Sequence, residues 1–297
     1  MGPSWQPMST EPDQPTRPPL EPGEVTNFAA DTAVEPLGDG RYRGEMDPSW
    51  WIIAGPNGGY VAAVVLRAII AEVGDAARRP RSITLQYLRP PSAGPVEVEV
   101  VIERSGRTVS NVTARMTQDG RLLVLAIAVL AVDRDDSVSF DEGPGLPTLP
   151  DGSPVPMPED IPARAYDPDL DVPMRRHYDL RWVLGNLPFT VGPDDDALAS
   201  TGGWLRLLQP DPVDELVLAA LTDAWMPPIF SRVSIPMAVP TIDLTIHFRA
   251  RPADPDDYCF VHFDSPLAAD GYLVEHGRVL DRHGRLLAES RQLAVVA

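Results

Sequence analysis

Lysine is absent from this 297-residue chain, cysteine occurs once, and no run of about eighteen apolar residues is available to span a bilayer. All 25 basic residues are therefore arginine, and the 43 acidic residues leave a net charge of −18. That sign excludes nucleic-acid binding driven by the overall field, which needs basic side chains to displace counterions from phosphate. The single cysteine, Cys259, has no internal disulfide partner, and its place between Tyr258 and Phe260 predicts a small buried side chain rather than a nucleophile. The opening Met1-Gly2-Pro3-Ser4-Trp5 has neither the basic nor the apolar region of a secretory signal, so a cytoplasmic location without membrane attachment is expected. Gly-x-Ser-x-Gly elbows, Walker loops and His-Glu-x-x-His helices are missing too. The histidines (His177, His247, His262, His276 and His283) lack metal-ligand spacing, and neither a metal nor a cofactor is expected.

Proline, by contrast, is plentiful at 34 residues, and its placement divides the chain. Residues 1–24 hold seven prolines among Gly, Ser, Thr and Glu, the composition of a flexible tail that cannot bury enough apolar surface to fold. Nine more lie between Pro144 and Pro173, inside an acidic, proline-rich linker over 136–173. Residues 133–172 carry eleven Asp or Glu against two Arg, a net of −9 and half the total charge, so the acidity belongs largely to the linker. A hydrophobic fraction of 43% is ample for a core in the remainder, residues 25–135 and 174–297.

Those two segments repeat one another. Ser82-Ile83-Thr84-Leu85 is matched by Thr241-Ile242-Asp243-Leu244, and Gly120-Arg121-Leu122-Leu123 by Gly284-Arg285-Leu286-Leu287, each followed by a similar run. In the first segment Val61–Ile70 is apolar nearly all round, as in a helix buried on most sides. Ile83, Leu85 and Tyr87, then Val96, Val98 and Val100, alternate with polar residues as strands do, and Asp119-Gly120 marks a hairpin turn. In the second segment a helix is predicted over Asp211–Ala224, with Pro212 in its first turn and Asp214-Glu215 at its positive end. Strands are predicted near 175–184, 201–208, 241–250, 257–264, 271–281 and 285–296. One buried helix and an antiparallel meander, made twice, is an α+β arrangement.

Trp50-Trp51, then Gly55-Pro56-Asn57-Gly58-Gly59-Tyr60 opening a buried helix, then Tyr87-Leu88-Arg89-Pro90-Pro91 and the closing Gly-Arg-Leu-Leu strand resemble, in this order, the thioesterase-like, double hotdog family. Its acyl-CoA thioesterases of the thioesterase II type are the nearest in pattern. The resemblance implies a tandem hotdog, two antiparallel sheets each wrapped around a buried helix, and hydrolysis of a small-molecule acyl-CoA. It also implies that an Asp, a Thr or Ser and a Gln hold the attacking water. Position by position these fall on Asp223 in Leu221-Thr222-Asp223-Ala224-Trp225-Met226-Pro227, on Thr241 in Thr241-Ile242-Asp243, and on Gln292 in Ser290-Arg291-Gln292-Leu293. Such enzymes commonly bind the oxyanion with backbone N–H groups at the buried helix's start, here Asn57, Gly58 and Gly59. The tandem chain supplies internally the pairing that single hotdogs gain by dimerising, and further homo-oligomers occur in the family.

The chemistry suits those residue types. Thioester hydrolysis needs a water aimed at the carbonyl, a base for its proton and donors for the oxyanion. Asp223 as base requires a pKa raised by burial, while Thr241 and Gln292 orient the water without becoming acylated. Gln292 stands where the first repeat has Ala128, and an amide inside an apolar strand needs partners. Alternation places Thr241, Asp243, Thr245 and His247 on one polar face of their strand, opposite Ile242, Leu244, Ile246 and Phe248. Arg78-Arg79-Pro80-Arg81 and Arg249-Ala250-Arg251 are the local clusters suited to the phosphates of coenzyme A, or else plain loop charges. The alternative to an enzyme is a non-catalytic acyl-binding protein on the same scaffold.

Overall fold

Every strand among the described residues joins one antiparallel sheet, and two helices pack together against it. The structure is a computed structural model that describes residues 27–53, 55–134, 138–169, 171–192, 197–209 and 211–296; the expected tail over 1–24 lies outside the described residues. A short helical turn, α1 (Phe28–Asp31), leads into β1 (Val34–Gly38) and β2 (Arg41–Met46). Helix α2 (Gly58–Val73) follows, then β3 (Arg79–Tyr87), β4 (Gly94–Ser105), β5 (Val109–Gln118) and β6 (Arg121–Ala131). The second half repeats this order with β7 (Tyr178–Leu184), β8 (Ser200–Leu207), α3 (Glu215–Leu221), β9 (Thr241–Phe248), β10 (Cys259–Ala269), β11 (Tyr272–Leu280) and β12 (Leu286–Val295).

The strand order β1-β2-β4-β5-β6-β3-β9-β12-β11-β10-β8-β7 reads alike from either end. The two sheets expected of the halves thus meet edge to edge, β3 against β9, with Ser82 opposite His247 and Gln86 opposite Asp243. Thr84 and Thr245 share a 3.0 Å hydroxyl hydrogen bond across this junction. Joining the halves there covers two edges that would otherwise invite pairing with another chain.

Helix α2 is capped at both ends. Asn57 Oδ1 accepts from the Tyr60 N–H at 3.0 Å, and Gly74, at φ 61°, ends the helix in the left-handed conformation. Ten of its sixteen residues are buried, consistent with its apolar sequence, because the sheet curls around one side and α3 closes the other. Helix α3 is shorter than the predicted Asp211–Ala224. Asp214 caps it through the Leu216 and Val217 N–H groups, while Asp211 Oδ2 accepts from the Ala29 N–H and the Val213 N–H donates to Pro255 O. Residues 211–213 are thus committed to other segments.

The linker packs as well. Val155 sits in a small cluster with Trp204, Tyr258, Phe260 and Leu280, and Trp204 Nε1 donates to Pro156 O at 2.8 Å. The arginine clusters are likewise engaged within the chain: Arg79 and Arg251 both pair with buried Glu215, Arg81 with Asp133, Arg78 with Asp75 and Arg249 with Glu289. Of these, Arg79 and Arg251 tie β3 and the loop after β9 to α3. Cys259 is buried, and burial pushes its thiol up to about 12, so it stays protonated. Trp50 is core too, stacked between Tyr60 at 5.0 Å and His177 at 3.9 Å.

Candidate active site

Asp223, two residues past the end of α3, and the residues opening α2 face each other, because Gly59 lets the two helices touch. A Cβ on Gly59 would lie 2.7 Å from Ala220 O and 3.0 Å from both Ala219 O and Asp223 Cβ. That close approach sets the Asp223 carboxylate against the positive end of α2. Its Oδ2 accepts from the Gly59 N–H at 3.0 Å and from Asn57 Nδ2 at 2.9 Å, and Asn57 Nδ2 also reaches Asp223 O at 2.6 Å. Tyr87 Oη donates to Gly58 O at 2.7 Å and buttresses the same turn.

The other carboxylate oxygen meets β12. Gln292 Nε2 donates to Asp223 Oδ1 at 3.1 Å, and Thr241 Oγ1 donates to Gln292 Oε1 at 2.9 Å. Asp223, Thr241, Gln292, Asn57, Gly58 and Gly59 are therefore one hydrogen-bonded group drawn from both halves of the chain. One expectation changes: the Gly59 N–H and the Asn57 amide are not left open for an oxyanion, because both hold the Asp223 carboxylate. Burial raises the Asp223 pKa, and the hydrogen bonds from Gln292, Gly59, Gly58 and Asn57 oppose that rise.

Thr241 reaches this group only because the strand is irregular. Leu293 pairs with Asp243 but Ala294 pairs with Thr241, so Ile242 is an extra residue and the alternation breaks there. The predicted polar row of Thr241 with Asp243, Thr245 and His247 is thus corrected. Thr241 turns to the face of Gln292, Asp243 Oδ1 accepts from the Leu293 N–H, and His247 is exposed.

Two further polar groups were not anticipated. Glu275 on β11 lies directly opposite Gln292, is buried, and accepts from Gln292 Nε2 at 3.1 Å. Its signal was in the sequence, since alternation sets Glu275 in the inward row Leu273, Glu275, Gly277, Val279. Tyr178 is buried with its hydroxyl unpartnered among the described residues; burial, and secondarily the nearby Asp223 charge, holds its phenol protonated. Among the described residues no cluster of His, Cys, Asp or Glu is arranged to bind a metal, and no helix is long and apolar enough to cross a membrane.

Two equivalent helix-wrapping antiparallel halves, with a carboxylate at the contact of the helices bonded to an amide and a hydroxyl from the strands, define the class: a double hotdog. The sequence profile of the acyl-CoA thioesterase N-terminal domain matches residues 47–131, and that of the acyl-CoA thioesterase C-terminal domain matches residues 158–296. The chain belongs to the acyl-CoA thioesterase family and is a thioester hydrolase. An uncharacterised protein of Mycobacterium tuberculosis is 26% identical over 272 residues, covering 86% of this chain and 90% of its own. A hotdog-fold protein of unknown function from Alicyclobacillus acidocaldarius superposes with a TM-score of 0.78 at 26% identity, over 92% of this chain and 99% of that one. The acyl-CoA thioesterase II TesB2 of Mycobacterium marinum, at 20% identity and a TM-score of 0.70 over 91% and 98%, shares the fold.

Proposed function

We propose that the protein hydrolyses an acyl-CoA by direct attack of water on the thioester carbonyl, with Asp223 as general base and Thr241 and Gln292 as the groups that aim the water. What supports this reading is a single arrangement: the Gln292 amide is bonded on one side to Asp223 and on the other to Thr241, which fixes all three at once. Thr241 gives its one hydrogen to Gln292, so its lone pairs accept one O–H of the water while Asp223 accepts the other. Both hydrogens of the water are then held, and an oxygen lone pair is free to attack carbon.

The steps balance without a covalent enzyme intermediate. A C–O bond forms as one water proton passes to Asp223, and the carbonyl oxygen takes the negative charge. The Gly58 and Gly59 amides stay on the Asp223 carboxylate, and the positive end of α2 favours the negative charge of the site as a whole. Collapse breaks the C–S bond, the proton on Asp223 goes to the leaving sulfur, and free acid and coenzyme A depart. Burial that raises the Asp223 pKa strengthens it as a base, and the hydrogen bonds to its carboxylate oppose that rise by favouring the ionised form. Because the group is complete within one chain, a monomer suffices for the chemistry.

The test is release of free thiol from short, medium and long acyl-CoAs, with intact mass measured on enzyme quenched during turnover. Thiol release with no acyl adduct on the protein is expected. Inactivity on every chain length, or a stable acyl-enzyme, would overturn the proposal.

A further inference from the structure

Gln292 donates to two carboxyls, not one. Its Nε2 lies 3.1 Å from Asp223 Oδ1 and 3.1 Å from Glu275 Oε1, so both amide hydrogens are used. With Thr241 on its Oε1, the amide is pinned at three points, and its orientation has no freedom to invert. Glu275 is only 8% exposed, and the charges acting on it are Asp223, at the end of α3, and Asp264 on β10. Asp264 has its own partners, with His276 Nδ1 at 3.5 Å and Arg278 at 3.8 Å, and Glu275's opposite neighbour on β12 is the neutral Gln292.

From this geometry we infer that Glu275 is a positioning residue of the water-activating site: in its protonated form it locks the Gln292 amide toward Asp223, and losing its proton switches the site off. The inference rests on the reading of Asp223 as base. Burial, followed by the Asp223 and Asp264 charges, raises the Glu275 pKa well above the ordinary carboxylate range. Two carboxyls joined through one amide cannot cheaply both ionise, so the working state is Asp223 charged and Glu275 neutral, and the pair titrates as a unit. When the second proton leaves, a full charge competes for the Gln292 amide and stands beside the developing oxyanion. Activity then falls as pH rises.

The experiment is the pH profile of kcat/KM for thiol release by wild type, Glu275→Gln, Glu275→Met and Asp223→Asn. Wild type is expected to give a bell. Glu275→Gln, which imitates the protonated acid, keeps at least about a third of the plateau and loses the alkaline limb. Glu275→Met, of similar volume but without an acceptor, also loses that limb, and its plateau falls about tenfold, one hydrogen bond's worth; it serves equally if the Gln variant does not fold. An alkaline limb that stays in place in either folded variant, or a wild type without one, overturns the role of Glu275 while leaving an inactive Asp223→Asn, and hence the base assignment, intact. A fully active Asp223→Asn overturns both.

Discussion

Gly59→Ala tests whether the contact between α2 and α3 builds the site. The added methyl would sit 2.7 Å from Ala220 O and 3.0 Å from Ala219 O and Asp223 Cβ, and the two carbonyl oxygens belong to α3's backbone, which cannot rotate away. Relief requires α2 to move off α3 by several tenths of an ångström. Overpacking of this kind costs about 1–3 kcal/mol, and the better helix propensity of Ala returns a fraction of it. A melting temperature lower by roughly 2–6 °C is expected. The same movement lengthens the 3.0 Å bond from the Gly59 N–H to Asp223 Oδ2, which favours the ionised carboxylate. A hydrogen bond to a charged group contributes about 1.5 kcal/mol or more, so the acidic limb of kcat/KM moves up by about one pH unit. Differential scanning calorimetry and the pH profile of thiol release measure both effects. A variant that melts like wild type with its acidic limb unmoved would show that the contact of α2 with α3 does not build the site.

Other consequences concern the cap and the buried imidazole. Asn57→Ala removes the cap to the Tyr60 N–H and two contacts to Asp223, so unfolding by urea should show a loss of about 1–2 kcal/mol, with kcat lower by about tenfold. Burial lowers the His177 pKa from 6.5 to about 4, opposed by Asp47, so the folded state refuses a proton that the unfolded chain binds. Stability is therefore lost as pH falls from 6.5 through 4, by about 3 kcal/mol from this group. Urea titrations of wild type and His177→Phe at pH 7 and pH 4 should differ in their pH dependence by about that amount; equal slopes would contradict it.

Much of this molecule was legible as pattern. The duplication gave two equivalent halves, the all-apolar Val61–Ile70 gave the buried helix, and Asp119-Gly120, both at positive φ, gave the β5–β6 turn. What pattern missed was set by tertiary contacts. Period-two alternation placed Thr241 with Asp243, and a single extra residue at Ile242 reverses that side chain. Helix α3 lost residues 211–213 to partners as far off as Ala29 and Pro255. The ion pairs of the arginine clusters were not legible because their partners, Glu215 and Asp133 among them, are distant in sequence. Glu275 was visible as an acid on an inward row, and only the register of β11 against β12 shows that it faces Gln292.

In the proposed hydrolysis the Asp223 carboxylate takes the proton from water. Steady-state thiol release by Asp223→Asn, on the acyl-CoA that wild type hydrolyses best, tests this, since the amide keeps the volume and one of the two Oδ acceptors but not the basicity. A fall of about 100-fold or more in kcat, with the melting temperature within a few degrees of wild type, is the expected result. A kcat within about threefold of wild type would contradict it.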